Sequence, residues 1–175
     1  MDNNDILIRL RYALNLRDRE MLEIFKLGGA ELTQDIVRKL LIKSKETYRY
    51  NNEVDGHHEI EDKEDNIKCK NSTLELFLNG LIIFKRGKQD PKPGQPEIPG
   101  LKNNENPNNS LLKKLKIALS LSSEDMMDIL KETGVIITKG ELSALLRKEG
   151  HKNYKECGDK YARNFLKGLA KKYRG

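Results

Sequence analysis

The chain has 175 residues, 37% of them apolar and 34% charged, with a formal net charge of +6, enough for one domain of ordinary size or two small ones. No apolar run approaches the roughly 20 residues of a membrane span, which excludes a transmembrane protein and a membrane partner. The polar start Met1 to Asp5 predicts no signal peptide, and two cysteines cannot build a disulfide scaffold, so the expectation is a soluble cytoplasmic protein with reduced thiols.

In chain order, a first helix is predicted from Leu7, Leu10, Ala13 and Leu14 at helical spacing, with Asn3 or Asn4 as its N-cap. A second follows Asp18 with Met21, Leu22, Ile24 and Phe25, and Gly29 stands where a C-cap is expected. Thr33 precedes a third, which carries Ile36, Val37, Leu40 and Leu41. The stretch near 49–68 is polar and acidic and reads as a surface loop. A longer helix then runs through Phe77, Leu78, Leu81 and Ile82 to Lys85, Arg86 and Gly87, basic residues and a glycine where the helix dipole and C-cap favour them. Gly80 inside it costs about 1 kcal/mol against alanine unless another backbone must come close, so a tight helix crossing is predicted there. Residues 88–107 hold all five prolines, Pro91, Pro93, Pro96, Pro99 and Pro107, and read as a semi-extended linker without helix.

The same series then recurs. With an offset of 105, residues 3–43 and 108–148 agree at 15 of 41 positions, where average residue usage gives about two or three. With an offset of 88 the match resumes: Cys69 on Cys157, Phe77-Leu78 on Phe165-Leu166, Gly80-Leu81 on Gly168-Leu169 and Arg86-Gly87 on Arg174-Gly175. The predicted fold is all-α: two tandem pseudo-symmetric repeats of four to five short helices each, 1–87 and 108–175, joined by the Pro-rich linker 88–107. Val135-Ile136-Ile137 is too short and unpartnered a β-like run to change the class. A unit of 68 residues buries little core alone, so the repeats are expected to pack on each other about a pseudo-twofold axis, as in a dimer fused into one chain.

Three stretches together resemble the bacterial YehS-like family: Asn3-Asn4-Asp5-Ile6-Leu7-Ile8-Arg9-Leu10-Arg11-Tyr12-Ala13-Leu14, Phe77-Leu78-Asn79-Gly80-Leu81 with Lys85-Arg86-Gly87, and His151-Lys152-Asn153-Tyr154-Lys155-Glu156-Cys157-Gly158-Asp159. That family is a domain of unknown function, commonly present as a tandem pair. The resemblance spans both copies in order; the acidic loop and the linker depart from it. It implies a bacterial cytoplasmic protein and brings no activity, cofactor or catalytic residue.

Charge supplies the functional expectation. Residues 108–175 carry +7, the linker is neutral, and 1–87 sum to −1 because segment 51–67 alone carries −6. Basic residues recur at matched places, Arg9 and Arg11 with Lys114 and Lys116, and Arg86 with Arg174. These six are the candidate contacts to nucleic-acid phosphates, against the plainer reading of a solvated helix face. A helix-turn-helix from the second and third helices is disfavoured. The connection Gly28 to Leu32 is long, and Lys139, Gly140, Ser143 and Ala144 offer little to read base edges.

Cys157 with His151 could be drawn as nucleophile and base, but Cys69 has histidines only in the inserted loop, so buried thiols at matched places are the better account. His57-His58 with Glu59, Glu61 and Asp62 make a weak metal site. Phosphate-loop, zinc-helix and nucleophile-elbow motifs are missing from the sequence, and no catalytic residue, metal or cofactor is predicted. The expectation is a non-enzymatic binding or adaptor protein whose partner is nucleic acid or another protein. The alternatives are a protein–protein module with no nucleic-acid role, and an enzyme with an unrecognised site.

Overall fold

A computed structural model describes residues 1–43, 66–87, 107–147 and 150–174. The acidic insertion with His57 and His58, and the linker up to residue 106, lie outside the described residues. Eight helices and no strand are present among the described residues: α1 (Asn3–Ala13), α2 (Asp18–Leu27), α3 (Gln34–Leu40) and α4 (Asn71–Arg86), then α5 (Pro107–Ala118), α6 (Ser123–Lys131), α7 (Lys139–Leu146) and α8 (Asp159–Arg174). The protein is all-α; four of the described helices fall in each repeat, and none of these eight is long and apolar enough to cross a membrane. Pro107, placed in the linker by sequence, is the first residue of α5. Its missing N–H costs nothing there and its fixed φ suits the helix.

Local chemistry sets the helix ends alike in both repeats. Thr33 Oγ1 accepts the Ile36 N–H at 3.2 Å, and Thr138 Oγ1 accepts the Glu141 N–H at 3.1 Å. At the start of α6, Ser122 and Asp125 each accept the other's backbone N–H, a reciprocal pair that satisfies two orphan donors. Between first and second helices the chain reverses through Asn15 and Ser120, both left-handed at φ 52° and 54°. Gly29 and Gly134 end the second helices at φ 101° and 87°, a region that glycine occupies without steric cost.

The asparagines predicted as caps do something else. Asp2 caps α1, its Oδ1 accepting the Asp5 N–H at 2.9 Å. Asn4, one residue into α1, is buried and uses its whole amide. Its Nδ2 donates to the carbonyls of Leu40 at 2.9 Å and Ile67 at 2.7 Å, and its Oδ1 accepts the Cys69 N–H at 2.9 Å. Asn109 repeats this with Leu145 at 2.9 Å, Lys155 at 2.9 Å and Cys157 at 2.8 Å. Asn3 bridges Cys69 O and Asn71 Oδ1, and Asn108 bridges Cys157 O and Asp159 Oδ1. Each Asn-Asn pair thus pins the chain leading into the repeat's last helix onto its first.

The predicted tight crossing lies between the second and last helices. A Cβ on Gly80 would stand 1.8 Å from the Ile24 carbonyl oxygen, and one on Gly168 would stand 2.3 Å from that of Ile129. Phe25 and Phe77 fill the space beside the first crossing, ring centroids 5.0 Å apart and tilted at 54°. The repeats then bury against each other: α1 lies along α8, and α5 along α4. Both pairs run parallel. On the first, the Met1 ammonium meets Asp159 at 2.7 Å at the N-terminal ends, and Arg174 meets Tyr12 and Asn15 at the C-terminal ends. One continuous core results, with Ile6, Leu7 and Leu10 of repeat one in the same cluster as Phe165, Leu166 and Leu169 of repeat two. The run Val135 to Ile137 is coil, its outer residues buried and Ile136 between them 86% exposed.

Candidate nucleic-acid interface

Three of the six basic residues selected by sequence make contacts across the two seams. Arg86 Nη1 donates to the Ile117 carbonyl at 3.4 Å, and Arg174 Nη1 donates to the Tyr12 carbonyl at 3.1 Å. Tyr12 and Ile117 are matched residues, so each arginine caps the C-terminal end of the other repeat's first helix, where the helix dipole favours a cation. Arg174 also reaches Asn15 Oδ1 at 3.1 Å and lies 4.2 Å over the Tyr12 ring. Lys114 is only 6% exposed and donates to Asn79 Oδ1 at 2.6 Å. Arg11 pairs with Asp18 at 2.6 Å and Arg9 with Asp5 at 3.1 Å. Lys116 is half-buried near the end of α5. Arg86 and Lys114 thus lie on the α4–α5 seam and Arg174 on the α1–α8 seam, with Arg9 at the place matched to Lys114; Arg11 and Lys116, two residues further along their helices, are turned to the other side, and no single face holds all six.

A continuous basic face does exist, on residues that the comparison of matched positions passes over. Lys160, Arg163, Lys167 and Lys171 follow one another along α8 at spacings of three, four and four residues, and all are exposed. At 3.6 residues per turn these positions fall on one stripe of the helix. The matched residues of α4 are Ser72, Glu75, Asn79 and Ile83, so the stripe belongs to repeat two alone. Its signal was in the spacing; a search for residues shared by both repeats removes it.

Beside the stripe, α6 and α8 enclose an open cleft of about 330 Å³, where Asp125, Asp128 and Glu132 face Lys171 and Lys172 over Ile129 and Gly168. Lys171 Nζ donates to the Glu132 carbonyl at 3.2 Å. The Asp125 carboxyl is held below its ordinary range by the Ser122 backbone N–H and hydroxyl, so it serves the helix end. No cluster of three metal-ligating side chains occurs among the described residues.

Cys69 and Cys157 are buried and free, and burial pushes both thiols up to about 12. A thiol so placed stays protonated at neutral pH and is a poor nucleophile. His151 lies in the exposed loop before α8 and accepts the Asn153 N–H on Nδ1 at 3.0 Å. The α7 face considered for base reading is partly covered, since Ala144 O accepts the Lys155 N–H at 3.0 Å from the returning chain. Lys139 is turned toward Glu124, 3.4 Å away.

Comparison with known proteins adds a family and no chemistry. The chain is 37% identical over 171 residues, 97% of its own length and 95% of the relative's, to "Uncharacterized protein YehS" of Escherichia coli (strain K12). No solved structure matches it. The model of the family described as "Protein of unknown function (DUF1456)" matches residues 3–87 and 108–175, the two stretches that carry the four helices each, and the chain belongs to that family.

Proposed function

We propose that this protein is a cytoplasmic, non-enzymatic binding protein that meets nucleic-acid phosphates through the basic face of its last helix. The observation that carries the reading is the α8 stripe Lys160, Arg163, Lys167 and Lys171, all exposed, with no ion pair to any of the four among the described residues. Exposed cations in a row, of which only Lys171 stands across a cleft from carboxylates, suit a polyanion, whose condensed counterions are released on binding. Buried free thiols fit a reducing compartment. The matched residues first selected by sequence divide in this reading: Arg86, Arg174 and Lys114 hold the repeats together, Arg9 stands at the place matched to Lys114 on the α1–α8 seam, and Arg11 is paired with Asp18.

The test is fluorescence anisotropy of a labelled nucleic acid titrated with the full chain at increasing salt. Four phosphate contacts predict log K falling against log salt with a slope near −3.6, about −0.9 for each contact on a duplex. Replacing all four stripe residues with Gln removes that dependence, while replacing Lys26 and Arg38, exposed on α2 and α3, leaves it. An absence of binding to DNA or RNA at low salt would sink the proposal. A protein-binding role is favoured by one observation, Ile136 standing 86% exposed. Capture of a protein that survives nuclease treatment and is lost in Ile136→Ser would support that role instead.

A further inference from the structure

The two seams share one construction and differ at a matched pair in their middle. On the α4–α5 seam the buried Lys114 ammonium is satisfied by Asn79 Oδ1 at 2.6 Å. The same two places on the α1–α8 seam hold Arg9 and Lys167. Neither offers an acceptor. Arg9 turns back along its own helix to Asp5 at 3.1 Å and stays 39% exposed, and Lys167 is exposed and makes no ion pair among the described residues. The register that satisfies a cation in one seam therefore places two cations at the equivalent positions of the other. Chains keep such local conflicts mainly where function needs them. An anionic group between the two would satisfy both, and Lys160, Arg163 and Lys171 carry the same charge along the helix on either side.

We infer that the α1–α8 seam is a docking line for the phosphodiester backbone of a nucleic-acid duplex, with Arg9 and Lys167 taking one phosphate between them. This rests on the reading of α8 as a phosphate-binding face and adds the class of nucleic acid. A duplex is favoured because the stripe is a rigid row, its cations about 4.5–6 Å apart along the axis at 1.5 Å per residue. Single-strand binders add aromatic platforms on which bases stack. Here Tyr161 is half-buried, and the exposed rings, Tyr12 at 59% and Tyr173 at 45%, stand only in the last turns of α1 and α8, with Arg174 4.2 Å over one face of Tyr12. Base reading is not built in: the amide beside the stripe, Asn164, donates to its own helix at Lys160 O. The contact is to backbone, independent of sequence.

Lys167→Asn tests this by writing into repeat two the residue that repeat one uses. Full chain and variant are measured on a short DNA duplex, an RNA duplex and a DNA single strand, all of one length, and melted without ligand. The expected result is opposite movement: a higher Tm, because Arg9 gains an acceptor, and a slope of log K against log salt shallower by about one. Arg9→Gln should make the slope shallower in the same sense, and Lys26→Gln should not. Tighter binding of either duplex than of the single strand supports the inference, and the two duplex arms say whether DNA or RNA is preferred. Equal binding of duplex and single strand overturns the duplex assignment and leaves the phosphate reading standing. An unchanged slope or a lower Tm in Lys167→Asn overturns the seam. Failure of every nucleic acid to bind overturns both readings.

Discussion

The two helix crossings answer one structural demand with different residues. In repeat one, α2 meets α4 glycine against glycine: a Cβ on Gly28 would lie 1.8 Å from Leu76 O, and one on Gly80 would lie 1.8 Å from Ile24 O and 2.9 Å from Gly28 N. In repeat two, Gly168 keeps its place, but the match of Gly28 is Thr133. Its hydroxyl donates to Leu130 O at 2.9 Å and lies 3.4 Å from Asn164 O, and Asn164 is the match of Leu76. Repeat one therefore brings backbone onto backbone, whereas repeat two stands slightly further apart and spends a side-chain hydrogen bond across the gap. The shared fold requires one glycine at each crossing; the second is a choice.

That contrast is easiest to break at its tightest point. Gly80→Ala should destabilise the chain by more than about 3 kcal/mol, beyond the usual cost of overpacking, because rigid backbone is what the new methyl meets. Gly168→Ala should cost about 2–3 kcal/mol, since the Ile129 side chain can give part of the space. Gly28→Thr, which copies repeat two into repeat one, should fall with Gly80→Ala. Urea unfolding followed by circular dichroism ranks the three; equal costs for the two alanine variants would mean that the crossings do not differ.

The Asn-Asn clamps set the opposite expectation, identity between repeats. Asn4→Ala and Asn109→Ala each strand two carbonyls and one N–H in the interior. At roughly 1–3 kcal/mol for a buried group left unsatisfied, partly relieved by water, each should cost about 3 kcal/mol. The same unfolding measurement applies. A gap of more than about 1 kcal/mol between them would show that one repeat leans on its clamp more than the other.

The repeat register, the all-helical class and the Thr33 and Thr138 caps were legible because each depends on residues within a turn or two of chain. Gly80 and Gly168 were legible as a crossing because a mid-helix glycine written twice has little other physical use. Asn3 and Asn4 were misread as caps: a polar pair before an apolar run suits a helix start, and nothing local points to Leu40, Ile67 or Cys69, some 36 to 66 residues away. The carbonyl contacts of Arg86 and Arg174 were hidden for a similar reason. A matched cation at a helix end serves a phosphate or a carbonyl equally well, and only the packed seam supplies Ile117 and Tyr12. The α8 stripe was legible in its spacing, but it is a difference between repeats, and the comparison that revealed the duplication favours what they have in common.

The smallest effect sharpens the comparison at the point where the last helices begin. Asp159 of α8 is matched by Asn71 of α4, and both accept from the asparagine that opens their repeat, at 2.8 Å. Only the former titrates. The Met1 ammonium first, then the Asn108 amide, hold the Asp159 carboxyl below its ordinary value of 3.8. A carboxyl whose folded pKa is depressed binds its proton more readily in the unfolded chain. Its contribution is therefore complete above the ordinary value and disappears as pH falls through that value toward the lower folded one. With the side chain 46% exposed, solvent screens the pair, and the contribution at pH 7 should be under about 1 kcal/mol. Asp159→Asn makes repeat two resemble repeat one there. The stability difference between wild type and variant, from urea titrations at stepped pH, should be small and positive at neutrality and vanish in acid. A difference that stays constant through the acid range would assign the Asp159 contribution to its hydrogen-bond geometry, and the two helix starts would then be equivalent in charge as well as in shape.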